Sequence, residues 1–450
     1  MTSQRLQLMR ISQKNICFTL CFLFFVLNSV WSIPGTLAIR YLVLFSGLLV
    51  TLVLMTKIQF PKLTIHQYFP LLCLIGLFVW VGFLRLMITS SPEIMSIEIQ
   101  TIWKRALLEG VLGMALGISL ALSTHQRNKH LFTLILFGPI FAFYLSHGLD
   151  LVHPGPKYWH YLVAEMEKNY IPKYQFVLFA IIAFAWIVFY LEREIKTMKA
   201  VKMVALIIAL LLIANAIFLV NGKNGFVYMG CLLLALMMRL FWQHAHNLRV
   251  ITVVMSLSLA ALLFGILHVK TNPVWGNLLS DIEVARHTDE IQVWKNFSPE
   301  QLEPLKNRSG NTVVDTTYLR TAWLIEGVKL VPKYPLGYGL IQDSFKYIGQ
   351  KEWPGSSLSH THSGWLDIIL GLGIPGFVLI LVAMIGLIKK GIESENFYAK
   401  SAVWVLPIIS LAFLTSELSE KISFEVLIFY IAFYAGCSLP CQAKRSAELR

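Results

Sequence analysis

Charged residues are scarce in this chain. Only 14% of its 450 residues are Asp, Glu, Lys or Arg, whereas 56% are hydrophobic and the mean hydropathy is +0.65. A soluble domain needs far fewer apolar residues to fill its core, so the composition excludes an ordinary water-soluble enzyme. It predicts an all-α polytopic membrane protein.

Common catalytic and targeting signatures are also missing. The chain has no Gly-x-x-x-x-Gly-Lys-Ser/Thr phosphate loop and no Gly-x-Ser-x-Gly elbow, which leaves cytoplasmic ATP use and serine hydrolysis without a basis. All six cysteines lie in or beside apolar runs, so no disulfide framework is predicted. The first apolar run ends without an Ala-x-Ala-like site, which favours an uncleaved signal-anchor helix over a cleaved signal peptide.

The apolar runs predict about twelve transmembrane helices, because roughly 17 to 25 apolar residues cross a hydrocarbon core about 30 Å thick. They lie near residues 15–33, 38–55, 68–87, 106–123, 131–147, 174–191, 202–220, 225–242, 250–268, 364–388, 401–417 and 423–439. Basic residues in both terminal tails, at 193–199 and at 389–400 would share one side. By the positive-inside rule that side is cytoplasmic, so both termini are predicted to be cytoplasmic.

Helices 9 and 10 are separated by a long polar segment. The predicted division is therefore residues 1–268 with nine helices, a periplasmic cap at 269–361, and residues 362–450 with three helices and a cytoplasmic tail. The segment holds equal numbers of acidic and basic residues, with interspersed aromatics and prolines, which indicates a large folded helical cap rather than a disordered linker. Within it, a helix is predicted from near Tyr318 to Pro332, with Arg320 beside its apolar side.

The segment from His360 to Gly376 joins this polar loop to the next apolar run. On one continuous helix, Gly373 returns within about 20° of the azimuth of His362, so an imidazole would stand above a stripe of small residues that another helix or a lipid could approach. The alternative is that His362 is an interfacial histidine ending a transmembrane helix and that the glycines only pack.

Four residues of this segment, His362, Ser363, Gly373 and Gly376, resemble the signature of the O-antigen ligase and O-antigen polymerase superfamily. The run Arg320-Thr-Ala-Trp-Leu324 and the turn Pro335-Leu-Gly-Tyr-Gly339, with Gly337 and Gly339, resemble the loop of the same superfamily. The resemblance is clearest from about residue 221 to residue 390 and favours the O-antigen ligase.

The resemblance implies a lipid-linked glycosyltransferase of the bacterial inner membrane. Its reaction is metal-independent transfer of a glycan from an undecaprenyl pyrophosphate donor to a sugar hydroxyl, with lipid A-core as the acceptor of a ligase and with no cofactor. His362 would be the catalytic base, and Arg320, Lys223 and His360 would bind the donor pyrophosphate. The family commonly carries arginine where this chain has Lys223, and an ammonium binds phosphate without the two-pronged guanidinium contact.

Several basic residues also lie on the predicted outer side, where few are expected. They are Arg40, Arg85, Lys104, Arg105, Lys157, Lys168, Lys173 and Lys223. Singly, each could snorkel or pair with a nearby acid; as a group they indicate an anion at the membrane surface, for which a lipid pyrophosphate fits better than nucleic acid, which has no access.

Three alternatives to the ligase remain at this stage. An O-antigen polymerase would use a second lipid-linked repeat unit as acceptor, and a protein O-oligosaccharyltransferase is a weaker third member. A lipid-linked-sugar transporter would show paired broken helices and ionisable groups near the membrane midplane. A zinc site at His360 and His362 is not expected, because no further ligands lie near and Asp367 is poorly placed. Paired carboxylates could still lie within the cap.

Overall fold

The computed structural model of the protein describes residues 2–60, 65–87, 92–123, 126–152, 172–244, 248–271, 274–296, 305–415, 421–440 and 442–443. Its helices are α1 (Thr2–Val30), α2 (Leu37–Lys57), α3 (Ile65–Met87), α4 (Pro92–Glu98), α5 (Lys104–Ala121), α6 (Gln126–Leu136), α7 (Gly138–Val152), α8 (Lys173–Glu194), α9 (Ala200–Leu219), α10 (Lys223–His244), α11 (Leu248–Thr271), α12 (Val274–Ala285), α13 (Asp315–Leu330), α14 (Ser344–Glu352), α15 (Gly364–Glu393), α16 (Phe397–Lys400), α17 (Ala402–Phe413) and α18 (Lys421–Ser438). A π-helical segment, Ile99–Trp103, joins α4 to α5, and a 3-10 turn covers Val293–Lys295. Two short strands, β1 (Ile58–Gln59) and β2 (Gln442–Ala443), pair antiparallel.

The all-α, multi-pass membrane architecture is confirmed. Within the described ranges, nine helices are long and apolar enough to cross a membrane, or ten if α6 and α7, bent by 45°, form one span. The other two of the twelve predicted spans fall on α5, whose first two turns carry charged residues, and on α17, which has only 12 residues. The predicted loop at 153–171 and the C-terminal tail at 444–450 lie outside the described residues.

Buried charges hold the centre of the bundle together. Glu425 of α18 forms ion pairs with Arg40 of α2 and, at 2.5 Å, with Arg105 of α5, while Glu109 lies 3.5 Å from Arg40. Two arginines and two carboxylates neutralise one another, as charges inside a membrane protein require. The expectation that Arg40 and Arg105 join an anion site at the outer surface is therefore wrong, because both form ion pairs with these buried acids.

The segment between α11 and α15, residues 274–363, is called the cap segment below. It contains α12, α13 and α14 around its own apolar core, to which Leu366 and Leu370 of α15 contribute. The helix predicted near Tyr318 begins at Asp315, after Val314 as N-cap, and ends before Pro332. The cap segment is thus seated on the first turns of α15.

α15 is broken, and this corrects the single continuous helix assumed for residues 362–376. Gly373 has φ 71° and ψ 178°, and His362 precedes the helix with φ 57°, so the two residues do not share a helical face. The physical cause is Pro375, which lacks an N–H and would clash with the carbonyl four residues earlier. The carbonyl oxygen of Gly371 instead accepts from the N–H of Gly339, at 2.8 Å.

Candidate active site

A cavity of about 540 Å³ opens between α8, α10, the cap segment and the loop before α15. Its wall includes Lys223, Arg320, His362 and Ser363, four of the residues singled out from the sequence, and also Lys173. These residues come from widely separated parts of the chain, and the fold brings them to one place.

Three cations dominate the charge of this cavity. Lys173 and Lys223 are the first residues of α8 and α10, and Arg320 lies in the second turn of α13. The charges of Arg320 and Lys173 both act on Lys223, whereas Asp315 contributes a negative charge from nearby. The described wall contains no Asp or Glu side chain. The helix N-termini at Lys173 and Lys223 add further positive potential, so the cavity suits an anion.

His362 presents its imidazole to the same cavity. Its ring stacks on Trp323 with centroids 5.4 Å apart and planes at 13°, and the ring of His360 meets it edge-on at 4.3 Å. Its backbone has a left-handed φ of 57°, a conformation that costs a residue with a side chain free energy. Strained residues held by their surroundings are common in active sites, and His362 fits that description.

The residues on either side of His362 are fixed by a hydrogen-bond network that includes the buried Asp367. Asp367, in the first turn of α15, accepts from the backbone N–H of Thr361 at 3.0 Å and from its hydroxyl at 2.7 Å. The N–H of Ser363 donates to the same hydroxyl oxygen at 3.2 Å, and the N–H of Asp367 donates to the carbonyl of Ser363 at 2.8 Å. This network holds the His362 backbone in its unusual conformation.

The glycines of the two sequence motifs meet backbone to backbone. A Cβ on Gly337 would lie 2.5 Å from the carbonyl oxygen of Gly371, and a Cβ on Gly373 would lie 2.5 Å from that of Leu336. The N–H of Gly339 completes the contact by donating to Gly371. The turn at 335–339 therefore fills the break in α15, and the two motifs form one structural unit.

Two predicted residues occupy other places than the cavity wall. His360 lies behind His362, against its ring, and does not line the described cavity. Gly376 is buried in the second half of α15, where a Cβ would lie 3.4 Å from the indole of Trp80. That indole donates to the carbonyl of Leu372, next to the break in α15, at 2.7 Å.

Two residues near His362 and one property of the cavity were not predicted from the sequence. Trp323, which stacks on His362, appeared in the sequence only as part of the run from Arg320 to Leu324, and Asp367, which binds Thr361, was considered only as a metal ligand. Among the described residues, no group of three or more His, Cys, Asp and Glu side chains is placed to hold a metal ion. Apolar side chains also line the cavity and make it amphipathic; they include Val177, Leu178, Val227, Leu324 and Leu414.

Comparison with known proteins gives a family match over part of the chain. Residues 208–381 match the family described as O-antigen ligase, a range that includes Lys223, Arg320, His362 and Gly373. No curated protein matches the chain. Over residues 208–381 this chain is therefore similar to the O-antigen ligase family, and the resemblance to the O-antigen ligase and polymerase superfamily is confirmed for that range.

Proposed function

We propose that this protein transfers an O-antigen-like glycan from undecaprenyl pyrophosphate to a sugar hydroxyl of lipid A-core at the periplasmic face of the inner membrane. The observation that carries the proposal is the cavity in which one imidazole and three cations meet an apolar wall. A glycosyl donor with a pyrophosphate and a polyprenyl chain has the matching parts: an anion for the cations, a lipid for the apolar wall, and an anomeric carbon for the attack.

In the proposed reaction the acceptor hydroxyl oxygen attacks the anomeric carbon of the donor sugar. The bond from that carbon to the pyrophosphate oxygen breaks, and its electron pair leaves with the lipid pyrophosphate. His362 takes the hydroxyl proton as the new bond forms, which is general base catalysis by a residue that can accept a proton near neutral pH. The stack on Trp323 keeps the imidazole plane fixed while it does so.

Arg320, Lys223 and Lys173 would bind the pyrophosphate and stabilise the charge that develops as it leaves. Arg320 is exposed at the cavity wall, so its guanidinium can turn toward the donor and form two parallel hydrogen bonds. Lys223 and Lys173 are half-buried point charges at helix starts. Two ammonium groups in place of a single guanidinium are a reasonable way to hold an anion when the family arginine is replaced by Lys223.

No step of this mechanism uses a metal ion or a cofactor. His362, the two lysines and Arg320 supply the base and the electrophilic groups that a metal would otherwise provide. Nucleic acid is not a proposed partner; the donor, the acceptor and the surrounding lipids are. Transfer by the purified protein should therefore persist when a chelator is present.

The test uses purified protein, a lipid-linked glycan donor and two alternative acceptors. With lipid A-core as acceptor, a ligase forms glycosylated lipid A-core; with a second lipid-linked repeat unit, a polymerase forms longer lipid-linked chains. His362→Ala should abolish either product without changing the protein level in the membrane. The matched control is His287→Ala, because His287 lies in the cap segment, is outside the cavity wall, has 57% of its side chain exposed and lies 3.9 Å from Glu290.

A lipid-linked-sugar transporter is the second candidate, and two observations favour it. α15 is broken at Gly373, and the charges around Glu425 lie within the helical bundle, both of which occur in transporters. Reconstituted protein that moves lipid-linked sugar across vesicles but makes no product with either acceptor would establish this alternative and refute the proposed transfer.

A further inference from the structure

Glu98 is a buried carboxylate outside the cavity, and its partners are main-chain groups of the cap segment. It ends α4 and is 5% exposed. Its carboxylate oxygens accept from the N–H of Ile341 at 2.9 and 3.1 Å and from the N–H of Gln342 at 3.0 Å. Burial raises the pKa of Glu98 to about 7, against the lowering effect of these two N–H groups, of Trp103 and of the nearby Lys421.

The local helix geometry explains how Glu98 acquires a third donor. The π-helical segment Ile99–Trp103 follows Glu98 directly, and in such a segment a residue lies above the one five positions earlier. The indole N–H of Trp103 accordingly donates to Glu98 at 3.2 Å. Three donors from two distant parts of the chain thus converge on one buried carboxylate, an arrangement that fixes its orientation.

The turn held by Glu98 leads directly to the broken helix. Two residues before Ile341, Gly339 donates to the carbonyl of Gly371, and Tyr338 donates to that of Leu370 at 2.8 Å. Three residues after Ile341, the hydroxyl of Ser344 lies 3.4 Å from the carbonyl of Asp367.

Asp367 in turn holds Thr361 next to His362. Glu98 therefore anchors the turn at residues 338–344 to α4. This turn contacts both ends of the part of α15 that precedes the break at Gly373, which is called the first half of α15.

We propose that Glu98 is a positioning residue for the transfer reaction: by binding the N–H groups of Ile341 and Gln342 it fixes the turn on which the first half of α15 is seated, and so sets the position of His362. The inference rests on the proposed function, since it assigns His362 as the base. Glu98 does not line the described cavity, and it acts only through Asp367 and the turn.

The experiment compares Glu98→Ala, Glu98→Gln and Glu93→Gln. Glu93 is the matched control, because it lies on the same helix α4 and is exposed. With lipid-linked donor and acceptor, Glu98→Ala should lower kcat roughly 10- to 100-fold while the donor KM stays near the wild-type value, since misplacement of a base by about 1 Å slows the chemical step without weakening the grip on the donor. Glu98→Gln keeps one acceptor oxygen, so its kcat should lie between that of Glu98→Ala and that of the wild type.

Hydrogen exchange without substrate gives a second measurement. The amides of Ile341 and Gln342 should exchange faster in Glu98→Ala than in the wild type, and should be unchanged in Glu93→Gln. If Glu98→Ala does not fold, both kcat and hydrogen exchange are compared between Glu98→Gln and the wild type.

Wild-type kcat in the Glu98 variants, unchanged exchange, or a raised donor KM at constant kcat would each overturn the proposal. A wild-type protein that forms no product counts against the proposed function alone, whereas the exchange comparison still decides whether Glu98 holds the turn.

Discussion

Gly373→Ala should be among the most damaging single-methyl changes in the described chain. A residue with a side chain at the left-handed φ of 71° is strained by about 1 to 3 kcal/mol. The new Cβ would also lie 2.5 Å from the carbonyl oxygen of Leu336, so the backbone of the turn must move, and overpacking of this kind costs about 1 to 3 kcal/mol. Together the two effects predict a loss of roughly 2 to 6 kcal/mol.

The assay is thermal loss of monodisperse protein in detergent, followed by chromatography after heating. Gly82→Ala is the control: Gly82 lies on α3, and a Cβ there would meet no atom within 4 Å. Alanine is the better helix former by about 1 kcal/mol, so this control should match or exceed the wild type. Equal midpoints for Gly373→Ala and Gly82→Ala would refute the account of the broken helix as a backbone-to-backbone junction.

Three further predictions concern topology and the cation cluster. A reporter that is active only outside the cytoplasm should work when fused after Asp315 and fail when fused after Arg249 or Arg450; the reverse result would move the site to the other side of the membrane. Arg320→Lys should impair transfer because the guanidinium fork is lost, and Arg320→Ala should lower donor affinity or rate roughly ten- to hundredfold. Lys223→Arg should be tolerated, whereas Lys223→Ala should lose transfer and combine non-additively with Arg320→Ala; unchanged turnover in Lys223→Ala would remove that residue from the site.

The membrane architecture was predictable because it depends on composition and run length. Long apolar stretches identify spans without knowledge of their neighbours. The two least regular spans show the limit of this signal: α5 begins with Lys104 and Arg105, and α17 is short. Whether such segments belong in the bundle depends on partners far away in the sequence, such as Glu425 for Arg105. A local average of hydropathy contains no information about those partners.

The parts of the candidate site that could be predicted are those where a sequence motif reflects a local need of the backbone, such as a glycine at a tight contact. Gly337 and Gly373 were identified separately, yet the reason that both are glycine is their mutual contact, which only the fold reveals. The continuous helix assumed from His362 to Gly376 was wrong because azimuth arithmetic takes no account of Pro375. Glu98 gave no sequence signal, since its partners are main-chain N–H groups more than 240 residues away.

The role of Lys173, one of the eight outer basic residues, could be inferred only from the three-dimensional structure. Lys173 and Arg105 looked alike in the sequence, as isolated cations beside apolar runs. In the bundle Arg105 is paired with Glu425, while Lys173 faces Lys223 and Arg320 across a cavity whose described wall lacks an acid. Like charges brought close together repel one another, so their proximity costs free energy that a bound anion would offset. The arrangement thus favours an occupant of high negative charge over a neutral lipid or sugar, and the proposed pyrophosphate donor has that charge.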